Sequence, residues 1–109
     1  MIWLLDTDTC IRYLSPRLSP VQERMRAHPT DQVVLCDVVR MELYFGVYKS
    51  QRPEHNHAVV ERLFSQFVSL PFDRTAAQIC GRIRAELANQ GRPIGPYDVQ
   101  IAAIALVSI

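Results

Sequence analysis

The sequence predicts an α/β fold, a three-layer domain whose central parallel sheet is flanked by helices. Three observations lead there. Short apolar runs at Ile2–Leu5, Val33–Cys36 and Val68–Leu70 have strand length, and each is followed by segments with helical apolar spacing. Strand and helix alternate along the chain, the pattern of parallel strands joined by helical crossovers. An acid, Asp6 or Asp37, directly follows each of the first two runs.

Each element has a local cause. Ile2–Leu5 is apolar without alternation, as in a strand buried on both faces. Asp6-Thr7-Asp8-Thr9 supplies N-cap chemistry for a short helix through Ile11 and Leu14, and Ser15-Pro16 ends it. Pro20 opens a charged helix to Ala27, and Pro29 closes it ahead of the second strand, Val33–Cys36. Asp37 is placed to cap a third helix reaching about Lys49, with Val39, Leu43 and Val47 as its apolar stripe. Ser50 to Glu54 reads as a loop, and His57 to Phe67 carries Val60, Leu63, Phe64 and Phe67 at helical spacing. After the short strand Val68–Leu70, a helix from Arg74 to Asn89 turns Ala76, Ile79, Ile83 and Leu87 inward and stops at Gly91. The stiff stretch Gly91 to Pro96 delivers Tyr97-Asp98 to a final helix over Val99 to Leu106.

Composition narrows the function classes. The chain has 109 residues, 49% of them apolar, with 12 Lys plus Arg against 11 Asp plus Glu. It is therefore neither a disordered polyelectrolyte nor a membrane protein, and its length supports one domain, residues 1–109. The net charge of +1 names no partner, although every cation except Lys49 is an arginine, the side chain that grips phosphate with a planar fork. Cys10, Cys36 and Cys80 are odd in number, lie in apolar stretches and lack C-x-x-C spacing, so they read as core residues of a reducing compartment. No basic leader precedes Ile2, and the longest uncharged apolar run, Val99 to Ile109, is shorter than the ~20 residues of a spanning helix. The expected location is cytoplasmic, with no membrane partner.

Four acids can meet at one edge of the predicted sheet. Asp6 and Asp37 fall at carboxyl ends of strands, where ligands of such sheets gather. Glu42 lies on the second turn of the third helix, and Asp98 opens the last one. Carboxylates drawn together repel unless a cation neutralises them, so a shared site implies a hard, oxygen-loving ion such as Mg²⁺ or Mn²⁺. Such an ion activates water toward a phosphodiester and stabilises charge on the phosphate oxygens. Position alone leaves structural readings open: Asp6, Asp37 and Asp98 as helix caps, Asp8 as a cap or outer support, and Glu42 as a solvated helix residue. Tyr44 and Tyr48, one turn apart, suit packing or a dimer face. The His55-Asn56-His57 run has no other clustered ligand beside it.

The residues themselves narrow this choice. Leu4-Leu5-Asp6-Thr7-Asp8-Thr9-Cys10-Ile11, then Cys36-Asp37-Val38-Val39-Arg40-Met41-Glu42-Leu43-Tyr44-Phe45-Gly46, then Pro93-Ile94-Gly95-Pro96-Tyr97-Asp98-Val99-Gln100-Ile101-Ala102-Ala103 resemble the three motif regions of VapC-type toxins, a group of the PIN-domain ribonucleases. The similarity runs from residue 1 to about Leu106. It implies a PIN-like fold, a Mg²⁺- or Mn²⁺-dependent endoribonuclease acting on RNA, a VapB-type antitoxin as partner, and a homodimer. Carried over by position, Asp6, Glu42 and Asp98 are the catalytic, metal-holding acids, with Thr7, Asp8 and Asp37 as supporting groups. Gly46, one turn beyond Glu42, is expected to keep the helix surface open beside the site.

Two departures from the family pattern bear on activity. Asp37 stands where the family more often has a small hydroxyl residue. Beyond the alanine-rich last helix, family members carry a further strand and a segment with a fourth acidic or amide residue, so the domain is expected to be C-terminally short and its activity impaired. Two rivals follow. The apolar strand ahead of Asp6-Thr7-Asp8 is also similar to haloacid-dehalogenase-type phosphatases, with Asp6 as nucleophile and Asp8 as acid, but those enzymes need a downstream Lys and a later paired-acid motif. The other rival is a non-catalytic module that pairs with an antitoxin or another protomer.

Overall fold

The computed structural model describes residues 1–92 and 94–109; Pro93 of the third motif lies outside the described residues. Strands β1 (Trp3–Leu4), β2 (Val33–Cys36) and β3 (Val68–Leu70) form one parallel sheet in the order β1-β2-β3. Trp3 pairs with Val33 and Cys36 with Leu70, so all three strands run their carboxyl ends to the same edge. Burial on both faces belongs to β2, whose four residues are all buried. The same expectation for the first run is corrected: β1 pairs with one neighbour among the described residues, and Trp3 stays 45% exposed.

Six helices, α1 (Thr7–Leu14), α2 (Pro20–Ala27), α3 (Asp37–Lys49), α4 (Pro53–Gln66), α5 (Arg74–Asn89) and α6 (Pro96–Ser108), cover the sheet and its ends. Both α4 and α6 begin several residues earlier than apolar spacing predicts. In each a proline takes a first-turn position, where its missing N–H costs no hydrogen bond. The helix α2 opens with a capping box, Ser19 N–H donating to Gln22 Oε1 at 2.8 Å. Asp73 caps α5 by accepting the Ala76 N–H at 2.9 Å. At its other end Gly91, at φ +65°, lets its own N–H reach the Ala88 carbonyl and the Arg92 N–H reach the Leu87 carbonyl at 2.8 Å, the paired bonds of a Schellman stop.

Two cores result. The larger gathers Leu35 and Cys36 of β2, Val39, Leu43 and Val47 of α3, Val60 and Leu63 of α4, and Ile104 of α6. A smaller one joins Cys80 of α5 to Val99 and Ala103 of α6, with Ile79, Ile83 and Leu87 packed around them. No helix among the described residues is long and apolar enough to cross a membrane.

Candidate active site

The carboxyl edge of the sheet is where the first two motifs meet. Asp6 follows β1 and caps α1: its Oδ1 accepts the backbone N–H of Thr9 at 2.8 Å. The Thr9 side chain and N–H, helped by the Arg12 guanidinium, hold the Asp6 carboxyl below its ordinary range against the opposing effect of partial burial. Capping and ligation are compatible, because a carboxylate has two oxygens and this bond takes one. Next to it, Thr7 donates its hydroxyl proton to Glu42 Oε1 at 2.8 Å. That bond joins the first turn of α1 to the second turn of α3, across 35 residues of chain, and fixes one oxygen of Glu42.

Asp37 behaves differently from its expected role as a cap. Cys36 occupies the N-cap position, Asp37 is the first helical residue, and its Oδ1 accepts the Ser69 hydroxyl at 2.6 Å. The correction has a simple cause: β2 runs straight into α3, so the last strand residue supplies the non-helical cap, and the neighbouring strand β3 supplies a donor for Asp37. Asp8 is exposed in the first turn of α1. Asp98 lies in the first turn of α6 with its carboxylate over Gly95, where an added Cβ would come to 3.4 Å from Oδ2. Its helix packs against α5 and α3.

Beneath the edge lie two groups that spacing did not single out for it. Burial pushes the Cys10 thiol up to about 12, with Asp6 and Cys36 adding to the effect. Cys36 is raised as well, chiefly by burial, with Asp37 and Glu42 contributing. Both thiols therefore stay protonated under the acids and act as apolar floor. The donors above them, carboxylates and a threonine hydroxyl, are all oxygen and suit Mg²⁺ or Mn²⁺ rather than a thiophilic ion. Among the described residues, no three His, Cys, Asp or Glu side chains already stand as one metal-holding group.

Beside Glu42 opens an apolar cleft of about 470 Å³ between α1, α3 and α4, lined by Ile11, Leu14, Gly46 and Val59 among others. A Cβ on Gly46 would meet nothing within 4 Å, so the glycine leaves this cleft open. On the far side of α3, Tyr44 packs edge-on against Phe64 with ring centroids 5.2 Å apart and donates to Glu61, while Met41, Phe45 and Tyr48 are exposed.

This arrangement agrees with comparison to known proteins. The PIN domain family model matches residues 3–108. Over 103 residues the chain is 43% identical to the tRNA(fMet)-specific endonuclease VapC of Shigella flexneri, covering 94% of this chain and 77% of that protein. The chain belongs to the VapC-type PIN-domain family. Its fold superposes on the DNA-bound VapBC structure from Salmonella typhimurium with a TM-score of 0.88 at 41% identity, covering 96% of this chain and 79% of that one. For VapBC-1 from nontypeable Haemophilus influenzae the TM-score is 0.83 at 32% identity, with coverage of 97% and 80%. The matching family model is that of the PIN domain and the similar proteins are named nucleases, so the phosphatase reading of Asp6 and Asp8 falls away.

Proposed function

We propose that this protein is a cytoplasmic, Mg²⁺- or Mn²⁺-dependent endoribonuclease, the toxin of a toxin–antitoxin pair, with Asp6, Glu42 and Asp98 as the acids that hold the ion. The observation that carries the reading is the Thr7–Glu42 bond beside Asp6, which builds an oriented pair of carboxylates at the ligand-binding edge of a VapC-type PIN fold. When bound, the ion supplies activation of water and stabilisation of charge on the phosphate oxygens. The reaction is hydrolysis: a water oxygen bonds to phosphorus, the bond to one ribose oxygen breaks, and that oxygen leaves with a proton. Thr7 keeps Glu42 turned toward the edge, and Thr9 keeps Asp6 anionic and oriented. Asp98 enters from α6, and Asp8 and Asp37 add negative charge around them. The protonated thiols of Cys10 and Cys36 exclude water from below, and such free thiols suit a reducing compartment.

The apolar cleft beside Glu42 fits a VapB-type antitoxin segment. An arginine of that segment satisfies the carboxylates through charge-assisted hydrogen bonds in place of the cation. Met41, Phe45 and Tyr48 provide the face for a second copy. The rival reading is a module that binds an antitoxin or another protomer but does not cut. Cleavage of a labelled structured RNA by the purified chain decides between them. Activity that requires Mg²⁺ or Mn²⁺ and disappears in Asp6→Asn supports the nuclease; no cleavage with either ion, at any protein concentration, supports the binding module.

A further inference from the structure

A second feature lies on the other side of α1. Arg12 from the last turn of α1, Arg17 from the connecting segment and Arg24 from α2 line a cleft of about 580 Å³. It continues across Arg12 and Arg24 into a second cleft of about 460 Å³, where Trp3 and His28 stand with ring centroids 5.5 Å apart. Among the described residues the ion pairs are His57–Glu61 and Arg82–Glu86, so none of the three guanidiniums is held in a salt bridge, although Arg12 lies near enough to Asp6 to act on its charge. The walls are held in place. The Gln22 side-chain amide donates to the carbonyls of Arg12 at 2.8 Å, Arg17 at 3.3 Å and Ser15 at 3.4 Å, tying α2 to the segment that carries Arg17. The groove also reaches the acid edge, because Thr9 lines it and donates its N–H to Asp6.

Guanidiniums outside any salt bridge and spaced along a cleft, with an exposed indole and an imidazole at one end, combine the two elements that bind a single nucleic-acid strand: cations for the phosphates and a flat face for a base. We propose that the α1–α2 groove is the track for single-stranded RNA leading to the acid edge, with Arg12, Arg17 and Arg24 on its phosphates and Trp3 and His28 against an unpaired base. The assignment rests on the reading of that edge as the cleavage site. A duplex is a poor occupant, since its bases are already stacked and offer no free face to Trp3.

Trp3 is the single tryptophan, so its emission reports directly on the groove. With divalent ions chelated by EDTA, a fluorescein-labelled oligouridylate titrated into the full chain should bind and quench Trp3. Arg17→Gln/Arg24→Gln should lower affinity about tenfold and flatten the salt dependence by about 1.4 in log–log slope, at ~0.7 per phosphate contact. Trp3→Ala should weaken binding with the slope unchanged, and double-stranded RNA of equal length should quench far less. The track is refuted if oligouridylate fails to bind, or binds with Trp3 emission and the arginine-variant affinity unaltered, or if duplex quenches equally. Asp6→Asn separates the two claims: it should retain quenching and lose cleavage. Quenching with undiminished cleavage in that variant would overturn the acid-edge reading and leave the track standing.

Discussion

The block built from the sheet, α1, α3 and α4 holds Asp6 and Glu42 by side-chain bonds, whereas in the α5–α6 pair no side-chain bond among the described residues holds Asp98. In the block, Asp6 is tied to Thr9 and Glu42 to Thr7, over the larger core. In the pair, Asp98 sits over Gly95 at the start of a helix whose first anchor is Val99 in the smaller core. The contrast shows which half of the proposed site is prebuilt. Asp6 and Glu42 are oriented by the protein itself, while the orientation of Asp98 depends on how α6 is seated.

The largest expected difference between the two regions is in stability. Leu63→Ala removes a fully buried side chain from the larger core and should cost about 2–5 kcal/mol in urea unfolding. Val99→Ala, in the smaller core, should cost about 1–2 kcal/mol, two methyl groups' worth of burial. Native-state hydrogen exchange should then open α5 and α6 before β2 and α3. Simultaneous exchange of these elements would mean that the two regions open as one unit and the contrast does not exist.

A second prediction concerns the prebuilt half. Thr7→Val keeps the side-chain shape and removes the donor to Glu42 Oε1, so RNA cleavage should fall about tenfold or more with the fold intact, as expected for a hydrogen bond to a charged group. Unchanged cleavage would show that Glu42 needs no such orientation.

A third, smaller effect appears in alkali. The Cys10 thiol has an ordinary value of 9.0 and stands at about 12 in the fold, so the folded chain keeps a proton that the unfolded chain loses. Its contribution to stability is full below pH 9 and disappears as pH rises toward 12. Melting temperature under reducing conditions should therefore drop between pH 8 and 11, and Cys10→Ala should drop less over the same interval while starting lower. Parallel curves for the two proteins would mean that Cys10 is not the group responsible.

Much of this organisation is legible in the sequence, and for local reasons. Asp6 as a cap, Pro20 as a helix start and Gly91 as a stop all act within one turn of their own position, so spacing finds them. The exposure of Trp3 is not local, because an apolar run does not reveal how many neighbours its strand will have. Nor is the Ser69–Asp37 bond, which exists only because β3 lies beside β2. The Thr7–Glu42 contact belongs to the same class: the motif residues mark both partners, but only the packing of α1 against α3 joins them. The proline-led starts of α4 and α6 were within reach of sequence rules, and apolar periodicity alone obscured them.

Binding of Mn²⁺ followed by electron paramagnetic resonance tests most directly whether the two regions share one ion. The parent chain should take up Mn²⁺ saturably, and Asp6→Asn, Glu42→Gln and Asp98→Asn should each weaken uptake at least tenfold, with Mg²⁺ competing in the parent. Mn²⁺ affinity left unchanged by Asp98→Asn would contradict the account, because the ion would then belong to the prebuilt half alone.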